Sequence, residues 1–430
     1  MRKGLLGVLG SFLAGTAPLF AQTELPGNAG AKAQPLPTVI AAPSVVIMES
    51  GPTVVDSPFR ASSVSDASGS RMWGSADYLL WRVKSAPNPL PLVTTGDPVN
   101  DLIPGAIGQP GTRVVFGNTN QSFQNFSGGK LTLGAWLDCE QRFGIEAGGF
   151  LLEKRTSTFT RISDGAGNPP TYIPFNETDP AFPGPNAATL ADPVIGRVGS
   201  VSITQSLQLW GTEFNGLFCL YRKPGLEVNG LVGFRYMDLR ETLALNAATT
   251  DVALGTTTTF SDSFNTRNQF YGVNLGLRGS LQYDRLSVDV TGKVALGSTH
   301  EVVDIQGRSA QAGDPAVGAI PGTYPGGLFA QPSNIGRYSS NRFSVVPAVE
   351  LKVGYQITPA IKAFVGYDYL YWNQVVRPGN QIDRNVNTSQ SSVFTGVPGG
   401  TFAGPAQPAA IINRSDFWAQ GVTFGVEFRY

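Results

Sequence analysis

The chain has 430 residues, with 31 Lys+Arg against 31 Asp+Glu, a formal net charge of zero and 14% charged residues, where a soluble domain carries about 25%. Glycine occupies 52 positions and mean hydropathy is −0.03, so the chain lacks both the apolar runs of about 20 residues that a transmembrane helical bundle needs and the basic excess of a nucleic-acid protein. One His and two Cys argue against a His/Cys metal centre, and the Gly-rich stretch Gly322–Gly327 lacks the Gly-Lys-Ser/Thr ending that cradles phosphate, so no cofactor is expected.

The first residues, Met1-Arg2-Lys3, precede the short apolar run Gly4–Leu13 and small residues up to Ala21, the layout of a secretory signal over 1–21. Cleavage fits after Ala21, and Ala17 is the alternative because Leu19 is bulky three residues before the first cut. Residues 22–70 are rich in Pro, Ala, Ser and Gly and read as a disordered periplasmic tail with one short apolar patch, Val45–Met48.

From Trp73 onward the pattern has period two. In the clearest stretch Tyr271, Val273, Leu275, Leu277, Leu281 and Tyr283 alternate with Gly272, Asn274, Gly276, Arg278 and Gln282, and Leu286–Leu296 repeats the alternation after a tight turn at Asp284-Arg285. This is a hairpin that meets an apolar medium on one side only. Comparable pairs surround 139–142, 222–225 and 358–360. With single strands near Trp73–Val83 and at the C-terminus, four hairpins give ten strands. A further hairpin inside 154–202 would raise the count to twelve. The connections 84–128, 154–202, 240–263, 307–340 and 374–412 read as long loops that alternate strictly with the short turns. The expected fold is all-β: an antiparallel up-and-down transmembrane β-barrel over 71–430, with the short turns periplasmic and the long loops external.

A soluble sandwich also alternates. Here, however, the polar strand face is crowded with ionisable groups: Asp77, Lys130, Glu146, Glu213, Glu227, Arg235, Arg278, Asp289, Lys293, Glu350, Lys352, Lys362 and Asp368, seven acids and six bases. Aromatic residues mark two interfaces, Phe143, Tyr283, Tyr355, Phe428 and Tyr430 near the short turns, and Tyr236, Tyr271, Tyr369, Tyr371 and Trp418 towards the long loops. The last strand, with Gly425, Phe428 and Tyr430, resembles the terminal signal read by bacterial barrel-assembly machinery. The expected partners are that machinery and outer-membrane lipids, with no nucleic acid, and the expected location is the bacterial outer membrane.

The segments Trp73–Trp81 (WGSADYLLW), Pro89–Gly96 (PLPLVTTG), Gly134–Asp138 with Phe143–Glu146, and Gly233–Leu239 (GFRYMDL), together with the C-terminal strand, resemble the beta-barrel porin-7 family of outer-membrane proteins. The resemblance implies a barrel and pore activity, and no catalytic residues. The functional expectation is therefore a porin-like barrel passing small polar solutes or ions. The alternative is a non-conducting barrel whose long external loops serve binding, adhesion or envelope anchoring. The near-balanced inner charges would line a pore or form a plug, and in a barrel of ten strands side chains generally fill the interior. His300 has no serine spaced to pair with it, so no enzyme is expected. Cys139, in the first short turn, and Cys219, three residues before the second, fall on the periplasmic rim of neighbouring hairpins, where a disulfide is expected if their Cα atoms come within about 7 Å.

Overall fold

A strand with one apolar and one polar face is stable in lipid only within a sheet that leaves no open edge. The computed structural model, which describes residues 71–391 and 402–430, closes such a sheet. The signal segment 1–21 and the tail 22–70 lie outside the described residues. In chain order the strands are β1 (Met72–Val83), β2 (Pro91–Thr95), β3 (Arg113–Gly117), β4 (Asn125–Trp136), β5 (Phe143–Leu152), β6 (Arg155–Ile162), β7 (Thr171–Glu177), β8 (Gly184–Ala191), β9 (Arg197–Lys223), β10 (Leu226–Asp251), β11 (Thr256–Tyr283), β12 (Leu286–Ala312), β13 (Gly322–Pro325), β14 (Gly336–Thr358), β15 (Ile361–Val376), β16 (Asn385–Val386) and β17 (Arg414–Arg429). Ten of these form an antiparallel ring: β1, β4, β5, β9, β10, β11, β12, β14, β15 and β17, which pairs back onto β1. The seam is fully bonded at its lower end, where Met72 N donates to Tyr430 O at 2.9 Å and Tyr430 N donates to Met72 O at 2.8 Å.

Short turns gather at one end for local reasons. Asp138 accepts from the backbone N–H groups of Arg142 and Phe143 at 2.9 and 2.8 Å, which folds the 137–142 turn. Pro224-Gly225 joins β9 to β10 with Gly225 at φ 78°, a left-handed conformation that glycine adopts without steric cost.

The outer face carries the apolar belt. Leu131, Leu133, Val273, Leu277 and Phe343 are all more than half exposed, and Tyr271 and Tyr283 bracket Val273, Leu275, Leu277 and Leu281 on β11. Twelve residues at strand rise and barrel tilt span roughly 30 Å, the thickness of a bilayer's hydrocarbon core. Trp210, Tyr236 and Tyr271 form a row of mutually tilted rings, with centroids 5.2 and 5.1 Å apart, along the upper interface.

Above that level the structure departs from the expected loops. The segment 240–263 is no loop: β10 and β11 continue paired from Arg240↔Arg267 to Asp251↔Thr256. Its Thr-rich sequence reads as loop by composition, but Thr is β-branched and suits a strand. The 154–202 segment does hold a hairpin, β7–β8, yet that hairpin joins no barrel ring. It builds a second, five-stranded sheet with β2, β3 and β16, while β6 extends the wall by pairing with β9. Leu92 and Val93 of β2, Ile173 and Phe175 of β7, and Leu190 of β8 pack against Val201 and Ile203 of β9, Leu243 and Leu245 of β10, Phe260 and Phe264 of β11, and Val303 and Ile305 of β12. Each fully buried side chain of this kind contributes about 1.5–3 kcal/mol relative to exposure. The described parts of these long segments therefore form an ordered cap over one mouth of the barrel.

Candidate functional site

The lumen is filled in layers. Nearest the short turns, Lys362 binds Asp289 at 3.1 Å and Glu427 at 2.9 Å, and Glu427 also pairs with Arg429 at 2.6 Å. Glu227 is bound by Arg222 at 3.0 Å on the rim. One level up, the Arg278 guanidinium grips Glu146 through two bonds of 2.7 Å across the barrel, the bidentate geometry that makes such pairs strong. Above it Glu213 receives Arg235 at 2.6 Å and also Lys293. Beside this hub Glu350 joins Lys130 at 2.6 Å and Lys352 at 2.7 Å, Lys352 reaches Asp77 at 3.5 Å, and Lys130 lies 3.8 Å from Asp368. All ten lumen residues expected from the sequence, Glu146, Glu213, Glu227, Arg235, Arg278, Asp289, Lys293, Glu350, Lys352 and Asp368, thus face inward and take part in ion pairs. A cavity of about 70 Å³ remains beside Lys130, Glu213, Arg235, Lys293, Glu350 and Asp368. Asp77 Oδ1, Asn215 Nδ2, Asn274 Oδ1 and Arg235 Nη1 are buried without a protein partner, which suits a few enclosed waters.

Next comes an apolar layer. Leu79, Trp81, Phe126, Leu209, Met237, Phe270, Val346, Trp372 and Phe417 close across the barrel. Trp372 is fully buried and its indole N–H donates to Thr299 at 2.9 Å, while Phe270 meets it edge-on at 6.1 Å. Above this layer lies a second polar level, and its members escaped the sequence reading. Arg377, 1% exposed, is bonded to Glu241 at 2.6 and 2.9 Å and to the carbonyls of Ser85 and Lys84 at 2.8 and 3.2 Å. Arg414 binds Glu301 at 2.9 Å, and Asn268 exchanges two 2.8 Å bonds with the Val376 backbone. Glu241, Arg377 and Arg414 sit at or inside segments whose composition resembles loops, and the weak continuation of period two through Leu239, Glu241, Leu243 and Leu245 was the available signal.

The cap is tied down at Asp262, whose carboxylate accepts the amides of Leu328, Phe329 and Ala330 at 2.9–3.1 Å. Only glycine fits at Gly327, because an added Cβ would stand 2.0 Å from Asp262 Oδ1. Burial pushes Asp262 up to about 6, against the opposing pull of the three amides. A carboxyl whose folded pKa is raised stabilises fully below its unfolded value near 3.9 and loses that contribution as pH rises through the folded value. Anchoring by this group is therefore expected to weaken between about pH 4 and pH 6. Hydrogen exchange at the 328–330 amides, corrected for intrinsic rates, should show protection falling over that window, and Asp262→Asn should remove the pH dependence. Protection that is flat in the unsubstituted protein would contradict this.

Cys139 and Cys219 are both free thiols, which corrects the expected disulfide. Cys219 occupies a lumen-facing strand position, whereas Cys139 stays on the exposed turn, where Arg71 donates to its sulfur at 2.9 Å. His300 faces outward, and its Nδ1 lies 2.8 Å from Asn341 Oδ1. The terminal residues Gly425, Phe428 and Tyr430 lie at the barrel seam, with Gly425 opposite Asp77 on β1 and Phe364 on β15.

Among solved structures, the outer-membrane protease OmpT of Escherichia coli is similar at 12% identity over 84% of this chain and 97% of that one, with a TM-score of 0.41. A FadL homologue of Pseudomonas aeruginosa is similar at 8% identity over 84% and 90% of the two chains, with a TM-score of 0.23. No curated protein matches the chain. A family model described as "Putative beta barrel porin-7" matches residues 73–430, the whole region in which ring, plug and cap are built. This bacterial outer-membrane β-barrel belongs to that family.

Proposed function

We propose that this protein is a closed outer-membrane barrel whose working surface is the external cap. The observation that carries this reading is the apolar layer: Trp372, Phe270 and Phe417, each fully buried, cross the lumen between two levels of ion-paired side chains. Ions or sugars moving through would have to shed water against that layer and separate pairs such as Arg278–Glu146 and Arg377–Glu241, at a cost of several kcal/mol for each buried charge. In this reading the protein is no enzyme, its outer strand face meets outer-membrane lipids, and its terminal strand engages the assembly machinery through Gly425, Phe428 and Tyr430.

Passive passage of small polar solutes is the second reading, favoured by the family's description as a porin and by the small polar cavity at Glu213 and Lys130. Liposome swelling separates the two. Proteoliposomes carrying the folded barrel and challenged with an isotonic small sugar are expected to swell no faster than empty ones. Swelling that grows with the amount of inserted protein would favour the porin.

A further inference from the structure

We infer that the external cap holds a binding pocket for a small organic carboxylate with an apolar body, centred on Arg384. The inference rests on the reading of the cap as the working surface. The pocket is formed by the 89–90 connection, β7 and the 379–385 and 411–414 segments and has a volume of about 770 Å³, within the 300–1,000 Å³ typical of small-molecule sites. Its walls set Leu90, Phe175 and Ile382 beside the side chains of Asn176, Asn380 and Asn413. Phe175 and Ile382 are themselves packed into the cap core, so this wall is fixed by the same contacts that hold the cap together.

The charged groups at the pocket have unequal commitments. Arg414 is neutralised by Glu301 at 2.9 Å. Asp383 is turned to the protein, taking the Asn385 amide at 3.0 Å and the Ala409 amide at 2.9 Å. Arg384 is different. No carboxylate lies within ion-pair distance of its guanidinium among the described residues, and its Nε is buried without an acceptor. Burial alone pulls the group below the usual arginine range, with no compensating charge. Each desolvated, unpaired donor of this kind is costly. Arg377 and Arg414, at the upper level of the lumen, each have a carboxylate partner. An incoming carboxylate would supply the missing charge to the guanidinium while its hydrocarbon part covers the apolar wall, and both contributions favour an amphipathic monoanion over a sugar or a cation.

The test is isothermal titration of the full chain, folded in detergent micelles, with phenylacetate and hexanoate, using phenylacetamide and hexanamide as uncharged counterparts. Both acids are expected to bind saturably and the amides at least about tenfold more weakly. Arg384→Met should lose at least about tenfold in affinity for the acids, and Arg384→Lys should restore part of it. Unchanged heat-modifiable gel mobility confirms that the variants are folded. If neither acid binds, if the amides bind equally, or if Arg384→Met binds like the unsubstituted protein, the inference is overturned. Liposome swelling on the same preparation tells the two failures apart: absent binding in a barrel that does not swell liposomes removes the pocket alone, while swelling removes the closed-barrel reading beneath it.

Discussion

Replacing Glu213 by Gln is expected to lower the unfolding free energy of the barrel by about 3–5 kcal/mol, the usual cost of stranding a buried charge. Two cations converge on this one carboxylate, Arg235 at 2.6 Å and Lys293, and Asn274 Nδ2 approaches it at 3.4 Å. The amide would keep the shape but leave two like charges facing each other with no anion between them. Lys293→Met should cost less than half as much, because Glu213 and Arg235 remain a matched pair. Urea unfolding in micelles, followed by tryptophan fluorescence, measures both. Equal losses for the two substitutions would mean that Glu213 is not the hub of the network.

Arg377→Met is expected to have an effect of the same size at the upper level, again about 3–5 kcal/mol, since it leaves Glu241 buried and unpaired between the apolar layer and the cap core. The double substitution Glu241→Met with Arg377→Met should be milder than either single change, because matched apolar side chains can replace a buried pair at little cost. Recovery should be partial, as the carbonyls of Ser85 and Lys84, bonded at 2.8 and 3.2 Å, lose their donor in both cases. A double variant as unstable as the sum of the singles would show that Glu241 and Arg377 act independently.

How far the sequence disclosed this architecture depended on what decides each element. Within the membrane, lipid on one side and side-chain packing on the other force strict alternation, so strands such as Phe270–Tyr283 and the inward list from Glu146 to Asp368 were readable residue by residue. Above the membrane water bathes the outside of the wall and the pressure to alternate falls. The Thr-rich tips of β10 and β11 then look like loop, although backbone pairing carries them to Asp251↔Thr256. The ion pair Glu241–Arg377 joins residues 136 positions apart, and nothing local in either segment announces it. The same holds for Asp262, whose role is fixed by three backbone amides of a distant segment rather than by its neighbours. The cysteines failed for the opposite reason. Cys219 shares the inward face of Glu213, six residues before it on β9, but Cys139 lies in a turn, where period two gives no side-chain direction.

Single-channel recording in planar bilayers tests most directly whether the lumen is closed. With insertion verified by heat-modifiable mobility of the recovered protein, the barrel is expected to give no conductance steps across the bilayer at high protein load. Uniform, reproducible steps that persist at low voltage would contradict it and establish an open path past Trp372 and the Glu213 hub.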